Sequence, residues 1–155
     1  MAEHTKNTLW AGRDILVGKD ANKMIFRFLS RSENVALARL LAAAAVAEKD
    51  TTVAELDEIK VAVSEAVSNA IIHGYGNDPQ QYVEMSIGVS RQELLISIHD
   101  DGVGIADIEQ AMRPSYSTDG RMGLGFAFMQ SFMDDVDVSS LPQAGTTVTM
   151  RKKLA

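Results

Sequence analysis

Glu65 and Asn69 stand four residues apart in a largely hydrophobic run, so a helix puts them on one face. At about 100° per residue the core stripe of that helix is Leu56, Ile59, Val63, Val67 and Ala70. The Glu65/Asn69 face lies roughly opposite, flanked by Val61, Ala62 and Ile72, and is itself half apolar. A carboxylate and an amide placed this way suit a general base and a Mg²⁺ ligand. A surface Glu with a neighbouring Asn is the plainer reading of the same spacing. Asp100 closes the run Leu94 to Asp100, and strand alternation points it the same way as Ile96 and Ile98. A carboxylate on an apolar face is costly unless a donor reaches it. Gly102 and Gly104 follow at once, and glycine lets a backbone turn tightly against a flat ligand. The amino group of an adenine is such a donor; a strand-closing Asp-Gly turn accounts for the same residues without a ligand.

Three further groups fit a nucleotide. Gly123-Leu124-Gly125 opens a predicted helix, whose free amides favour phosphate, and Arg121 just before it adds positive charge. A helix start after a loop explains the glycines equally well. Thr146 follows Gly145 and shares a strand face with Val148 and Met150, a second polar group aimed inward. His73 lies one turn past Asn69 and suits the mouth of the same pocket, but one histidine is no metal site. Phe128, Met129, Phe132 and Met133 at helical spacing read as core packing, and Asp134, Asp135 and Asp137 as a solvated acidic patch.

The elements that must position these residues follow from periodicity and capping. Residues 1–23 show no clear period and read as an N-terminal extension; residues 24–155 read as one domain. Met24 to Leu29 is a predicted strand. Ser30 with Glu33, and Thr52 with Glu55, have capping-box spacing and predict helices to about Lys49 and His73. The first carries Val35, Ala38, Leu41, Ala42 and Ala45 on one stripe. Alternating runs at Val83–Val89 and Leu94–Asp100, joined by Ser90-Arg91-Gln92, predict a hairpin. A short helix around Ile105 to Met112, a helix from Gly123 to Asp134 and a hairpin through Pro142–Gly145 to Lys152 complete the order. The fold class this implies is an α/β (α+β) two-layer sandwich, with helices on one face of a mainly antiparallel mixed sheet.

Composition narrows the function. At 155 residues the chain fits one domain, and 46% hydrophobic content supports a real core. The absence of cysteine excludes disulfides and thiolate metal sites and fits a reducing, cytoplasmic setting. No apolar run approaches the roughly 20 residues that span a bilayer. A net charge of −6 argues against a nucleic-acid-binding surface.

Taken in order, the motifs carry a family resemblance. Ser64 to Gly74 (SEAVSNAIIHG) resembles the N box of the GHKL ATPases, Asp100 to Ile105 (DDGVGI) their first glycine box, Gly123 to Phe126 (GLGF) the second, and Gly145-Thr146-Thr147 the last. Within that superfamily the chain is most similar, from about Met24 to Lys153, to the anti-sigma factors of the sporulation anti-sigma-F group, which are also serine kinases. The resemblance implies a GHKL (Bergerat) fold and binding of ATP or ADP with Mg²⁺. It implies that Glu65 activates a substrate serine, Asn69 holds the metal, and Asp100 with Thr146 reads the adenine. Gly102 and Gly104 would form the adenine floor; Ser117, Thr118, Arg121, Gly123 and Gly125 would surround the phosphates. It further implies two partners, an RNA polymerase sigma factor contacted by Arg39 and a STAS-domain anti-anti-sigma protein carrying the serine, and a homodimer. The stretch from Pro114 to Gly123 is shorter than the family's usual ATP lid, and Met122 replaces a serine. A non-catalytic module that needs ATP only to hold a sigma factor is the alternative. A sensor histidine kinase is more distant, because His4, His73 and His99 are badly placed as phosphoacceptors.

Overall fold

Every strand pairing in the computed structural model, which describes residues 20–113 and 121–154, is antiparallel. Five strands lie in the order β1-β2-β3-β5-β4: β1 Asn22–Leu29, β2 Tyr82–Val89, β3 Glu93–Asp100, β4 Asp135–Ser140 and β5 Thr146–Lys153. The helices are α1 Glu33–Ala45, α2 Val53–Asn69, the short α3 Ile108–Ala111 and α4 Arg121–Phe132. None in the described residues is long and apolar enough to cross a membrane.

The expected alternation sets the two layers. Val83, Met85, Ile87, Leu94, Ile96, Ile98, Val148 and Met150 are buried against Ala38, Ala42, Ile59, Val63 and Val67 from the helices. Helix α2 is the central one. Ala62 and Ala66, between the predicted core stripe and the Glu65/Asn69 face, are also buried, and α4 packs against α2. That second contact gives Glu65 and Asn69 their half-apolar surroundings. Phe126 and Met129 of α4, and Met133 just after it, are core, but Phe128 is 45% exposed and stacks on Phe132 with ring centroids 6.0 Å apart. Its place in the predicted core stripe is therefore not realised.

The two capping boxes part company. Thr52 Oγ1 accepts the Glu55 amide at 3.0 Å, and a Glu55 carboxylate oxygen accepts the Thr52 amide at 2.8 Å. The Ser30 box does not form: Ser30 is buried, its amide donates to the Gln81 carbonyl at 2.8 Å, and its hydroxyl has no partner. Pairing of β1 with β2 holds Ser30 in line with the strand, so α1 starts later, at Glu33. It also ends before Lys49, where Val46 turns fully into the core. The hairpin turn at Ser90 is as predicted, with Ser90 Oγ accepting the Gln92 and Glu93 amides at 3.3 and 3.2 Å.

These differences predict opposite outcomes for two hydroxyl deletions. Thr52→Ala lowers the unfolding free energy by about 1 kcal/mol. Ser30→Ala leaves it unchanged or raises it, since no bond is lost and an unpaired buried hydroxyl is removed. Urea denaturation of both variants checks this; a loss in Ser30→Ala matching that in Thr52→Ala would restore the capping reading.

Candidate functional site

The C-terminal end of α2 does not stop at Asn69 but widens into a π-helical turn, Ala70–Gly74, with the Tyr75 amide bonded to the Ala70 carbonyl at 3.0 Å. The wider turn brings His73 and Gly74 over the end of β3. Asp100 ends that strand with 4% of its surface exposed, opposite Thr146 in the β3–β5 register. Between this strand pair and the π-helical turn lies a small, partly open cavity. Ala66, Asn69, Ala70, His73 and Gly74 form one wall, Ile98, Asp100, Thr146 and Val148 the other, and Gly104, Ile105 and Phe126 close it.

Packing around Asp100 leaves no room for side chains. A Cβ on Gly74 would fall 2.6 Å from Asp100 Oδ1, and one on Gly102 would overlap the Gly74 carbonyl. Gly104 has φ +74°, a conformation that side chains disfavour, and its α-carbon lies against the Leu141 carbonyl. The loop is tied down by backbone: the Val103 amide donates to the Gly74 carbonyl at 3.0 Å and the Gln143 amide to the Val103 carbonyl at 2.6 Å. One internal donor reaches the carboxylate, the Gly102 amide at 2.9 Å. Burial pushes the Asp100 carboxyl up to about 7; the Gly102 amide pulls it down, and the neighbouring Asp101 adds a smaller upward push.

Glu65 and Asn69 share their predicted face, and α4 meets them at Gly125. A Cβ there would lie 3.0 Å from Glu65 Oε2 and 3.5 Å from Asn69 Nδ2. Burial raises the Glu65 carboxyl above its ordinary value. Asn69 Nδ2 is buried without a partner, which marks a polar side chain still short of a ligand. Among the described residues no group of three or more His, Asp or Glu could hold a metal alone. Gly123 is buried in the first turn of α4, which opens at Arg121, two residues before the predicted start. First-turn amides lack intrahelical acceptors. Ser117, Thr118 and the Arg121 side chain lie outside the described part. Arg39 is exposed on α1 and is not among the cavity's residues.

Two residues not singled out by the sequence hold the loop. Tyr75 Oη accepts the Asp101 amide at 2.7 Å and donates to the Tyr82 carbonyl at 2.6 Å. Ser140 Oγ accepts the Ile105 amide at 2.7 Å and contacts Thr146 Oγ1 at 2.8 Å. Tyr75 directly follows the stretch Ser64 to Gly74 that resembles the N box. Nothing in the local pattern marks Ser140.

Comparison with known proteins bears on the fold and the family. The histidine kinase-like ATPase domain matches residues 28–152. The anti-sigma F factor of Geobacillus kaustophilus is 47% identical over 137 residues, 86% of this chain and 94% of that one. The chain belongs to the anti-sigma F factor family. A relative in this family from Clostridium novyi is 43% identical over 136 residues, again 86% of this chain. The RsbU and RsbW domains of a Mycobacterium tuberculosis protein superpose with a TM-score of 0.62 at 17% identity, covering 86% of this chain and 32% of that one. That likeness is one of fold, the GHKL fold that the motifs implied.

The raised Asp100 carboxyl has a pH consequence. Folded Asp100 holds a proton up to about pH 7, while an ordinary carboxyl releases it near 3.8. Between those values the folded state binds more protons, so stability falls as pH rises and levels off above about 7. Asp100→Asn removes this slope, and above pH 7 the nucleotide-free variant is more stable than the parent by no more than about 4 kcal/mol. Denaturation curves from pH 4 to 8 check it; identical slopes would refute the burial argument.

Proposed function

We propose that the chain is an anti-sigma factor that holds a sigma factor and, with Mg-ATP, phosphorylates a serine on a STAS-type anti-anti-sigma protein. The observation that carries the reading is Asp100, a nearly solvent-free acid beside Thr146 on one wall of a cavity whose other wall includes Asn69. Binding of a purine amino group supplies the donor that the carboxylate lacks in water's absence. The relatives' names, anti-sigma F factor, support the sigma partner.

The chemistry would divide along α2. Asp100 and Thr146 orient the purine, and the first turn of α4 at Gly123 receives the phosphates. Asn69 is the residue that would hold Mg²⁺. Mg²⁺ keeps several waters and takes oxygens from the phosphates, so it needs few protein ligands. When bound, Mg²⁺ neutralises charge on the phosphate oxygens. Glu65 would take the proton of the substrate serine as its oxygen bonds to the γ-phosphorus. The bond from that phosphorus to the bridging oxygen breaks, and ADP leaves. A carboxyl raised by burial is a better base near neutral pH than an ordinary one.

Two measurements test the reading. Calorimetric titration with Mg-ADP shows binding that Asp100→Asn weakens about tenfold or more, the scale of one hydrogen bond to a charged group. Incubation with Mg-ATP and a STAS protein transfers phosphate to serine in the parent, and Glu65→Gln slows this at least about 100-fold with ADP affinity retained. No heat with Mg-ADP removes the nucleotide site. Binding of ADP and sigma factor without transfer leaves a non-catalytic ATP-dependent module and removes the kinase.

A further inference from the structure

Ser140 closes β4, and its single hydroxyl meets three groups. The Ile105 amide lies 2.7 Å away and is a donor only, so Ser140 Oγ accepts from it. The Gly145 carbonyl lies 3.0 Å away and is an acceptor only; its other donor, the Leu141 amide, stands off at 3.4 Å, which leaves the carbonyl short of a close bond unless Ser140 gives its one proton there. The third neighbour is Thr146 Oγ1 at 2.8 Å, a contact in which either hydroxyl can donate. With the Ser140 proton on Gly145, only a Ser140 lone pair is left for that contact. Thr146 then donates to Ser140, and its hydroxyl turns only lone pairs toward the cavity.

We propose that Ser140 is a positioning residue that locks Thr146 as a hydrogen-bond acceptor, so that Thr146 and the Asp100 carboxylate together select 6-amino purines over 6-oxo purines. The inference rests on the nucleotide reading above and adds a specificity determinant to it. Asp100 and Thr146 face each other across the last rung of the β3–β5 ladder, and both line the cavity. Two acceptors side by side match an amino group, which carries two N–H donors. They repel a 6-oxo group, which carries lone pairs at the same place. A threonine hydroxyl free to turn would blur the distinction, because it can donate to the 6-oxo oxygen. Ser140 removes that freedom through bonds to two backbone groups, one of them 35 residues away in the chain.

Affinities for Mg-ADP and Mg-IDP, measured by calorimetry at pH 8 where Asp100 is ionised, test this. The parent prefers ADP. Ser140→Ala lowers the ADP/IDP preference about tenfold, mainly by strengthening IDP, the difference one redirected hydrogen bond makes. Ser140→Thr keeps the hydroxyl and restores the preference. Adding Ser140→Ala to Thr146→Val changes the preference no further than Thr146→Val alone, because the effect runs through the Thr146 hydroxyl. A merely structural role would weaken both nucleotides together and leave their ratio fixed, and that result overturns the proposal. Should Ser140→Ala fold poorly, Thr146→Val still decides: an unchanged ADP/IDP ratio refutes the role given to its hydroxyl. If the parent binds neither nucleotide, the nucleotide reading itself falls. If it binds ADP and the ratio is insensitive to both positions, only the selectivity inference falls.

Discussion

The structure is organised around the cost of keeping one carboxylate out of water. Asp100 lies on the same face as Ile96 and Ile98, in a sheet layer that is otherwise apolar. Charging it there is expensive, and a single internal amide offsets only part of the expense. A fold selected for stability alone would fill this place with another aliphatic side chain. The unmet demand sets what the cavity would favour: a ligand that brings a donor gains more there than in water, and one that brings a lone pair loses more.

That demand is useful only if the walls do not relax. The loop after Asp100 is held by groups distant in sequence. Tyr75 Oη takes the Asp101 amide, the Gly74 carbonyl takes the Val103 amide, and Ser140 Oγ takes the Ile105 amide. Three successive alternate amides are thus fixed by the π-helical turn, its flanking tyrosine and the end of β4. Glycine at 74 and 102 lets the turn and the loop touch backbone to backbone. The ordering entropy of the loop is met in folding rather than at binding, which is what preorganisation means in energetic terms.

How much of this was legible in the sequence depended on the range of the interaction. Asp100 and Thr146 were readable because alternation over a few residues fixes a strand face, and the register then places them opposite each other. Glu65 and Asn69 were readable from helical spacing, though not the reason for their half-apolar setting, since α4 arrives from more than fifty residues downstream. Thr52 and Ser30 show the limit of a local motif. Both have the spacing of a capping box, but Ser30 also belongs to the end of a strand, and pairing with Gln81 wins. Phe128 shows another limit: a helical stripe of Phe and Met has breadth, and only packing decides which edge faces water. Tyr75 and Ser140 act through backbone atoms 26 and 35 residues away, and no periodicity records such pairs.

The two ends of the site rest on different elements, and this bears on how binding and chemistry relate. Asp100 and Thr146 sit on β3 and β5, next to the loop braced by Tyr75 and Ser140, all tied to the sheet. Glu65 and Asn69 sit on α2, where they meet Gly125 of α4 rather than the sheet. A change at the α2–α4 contact can therefore disturb Glu65 and Asn69 while leaving the pairing of Asp100 with Thr146 in place. The converse does not hold, because Phe126 of α4 also closes the cavity that Asp100 and Thr146 line. Under the proposed function, a lesion at Gly125 would therefore cost transfer before it cost purine binding.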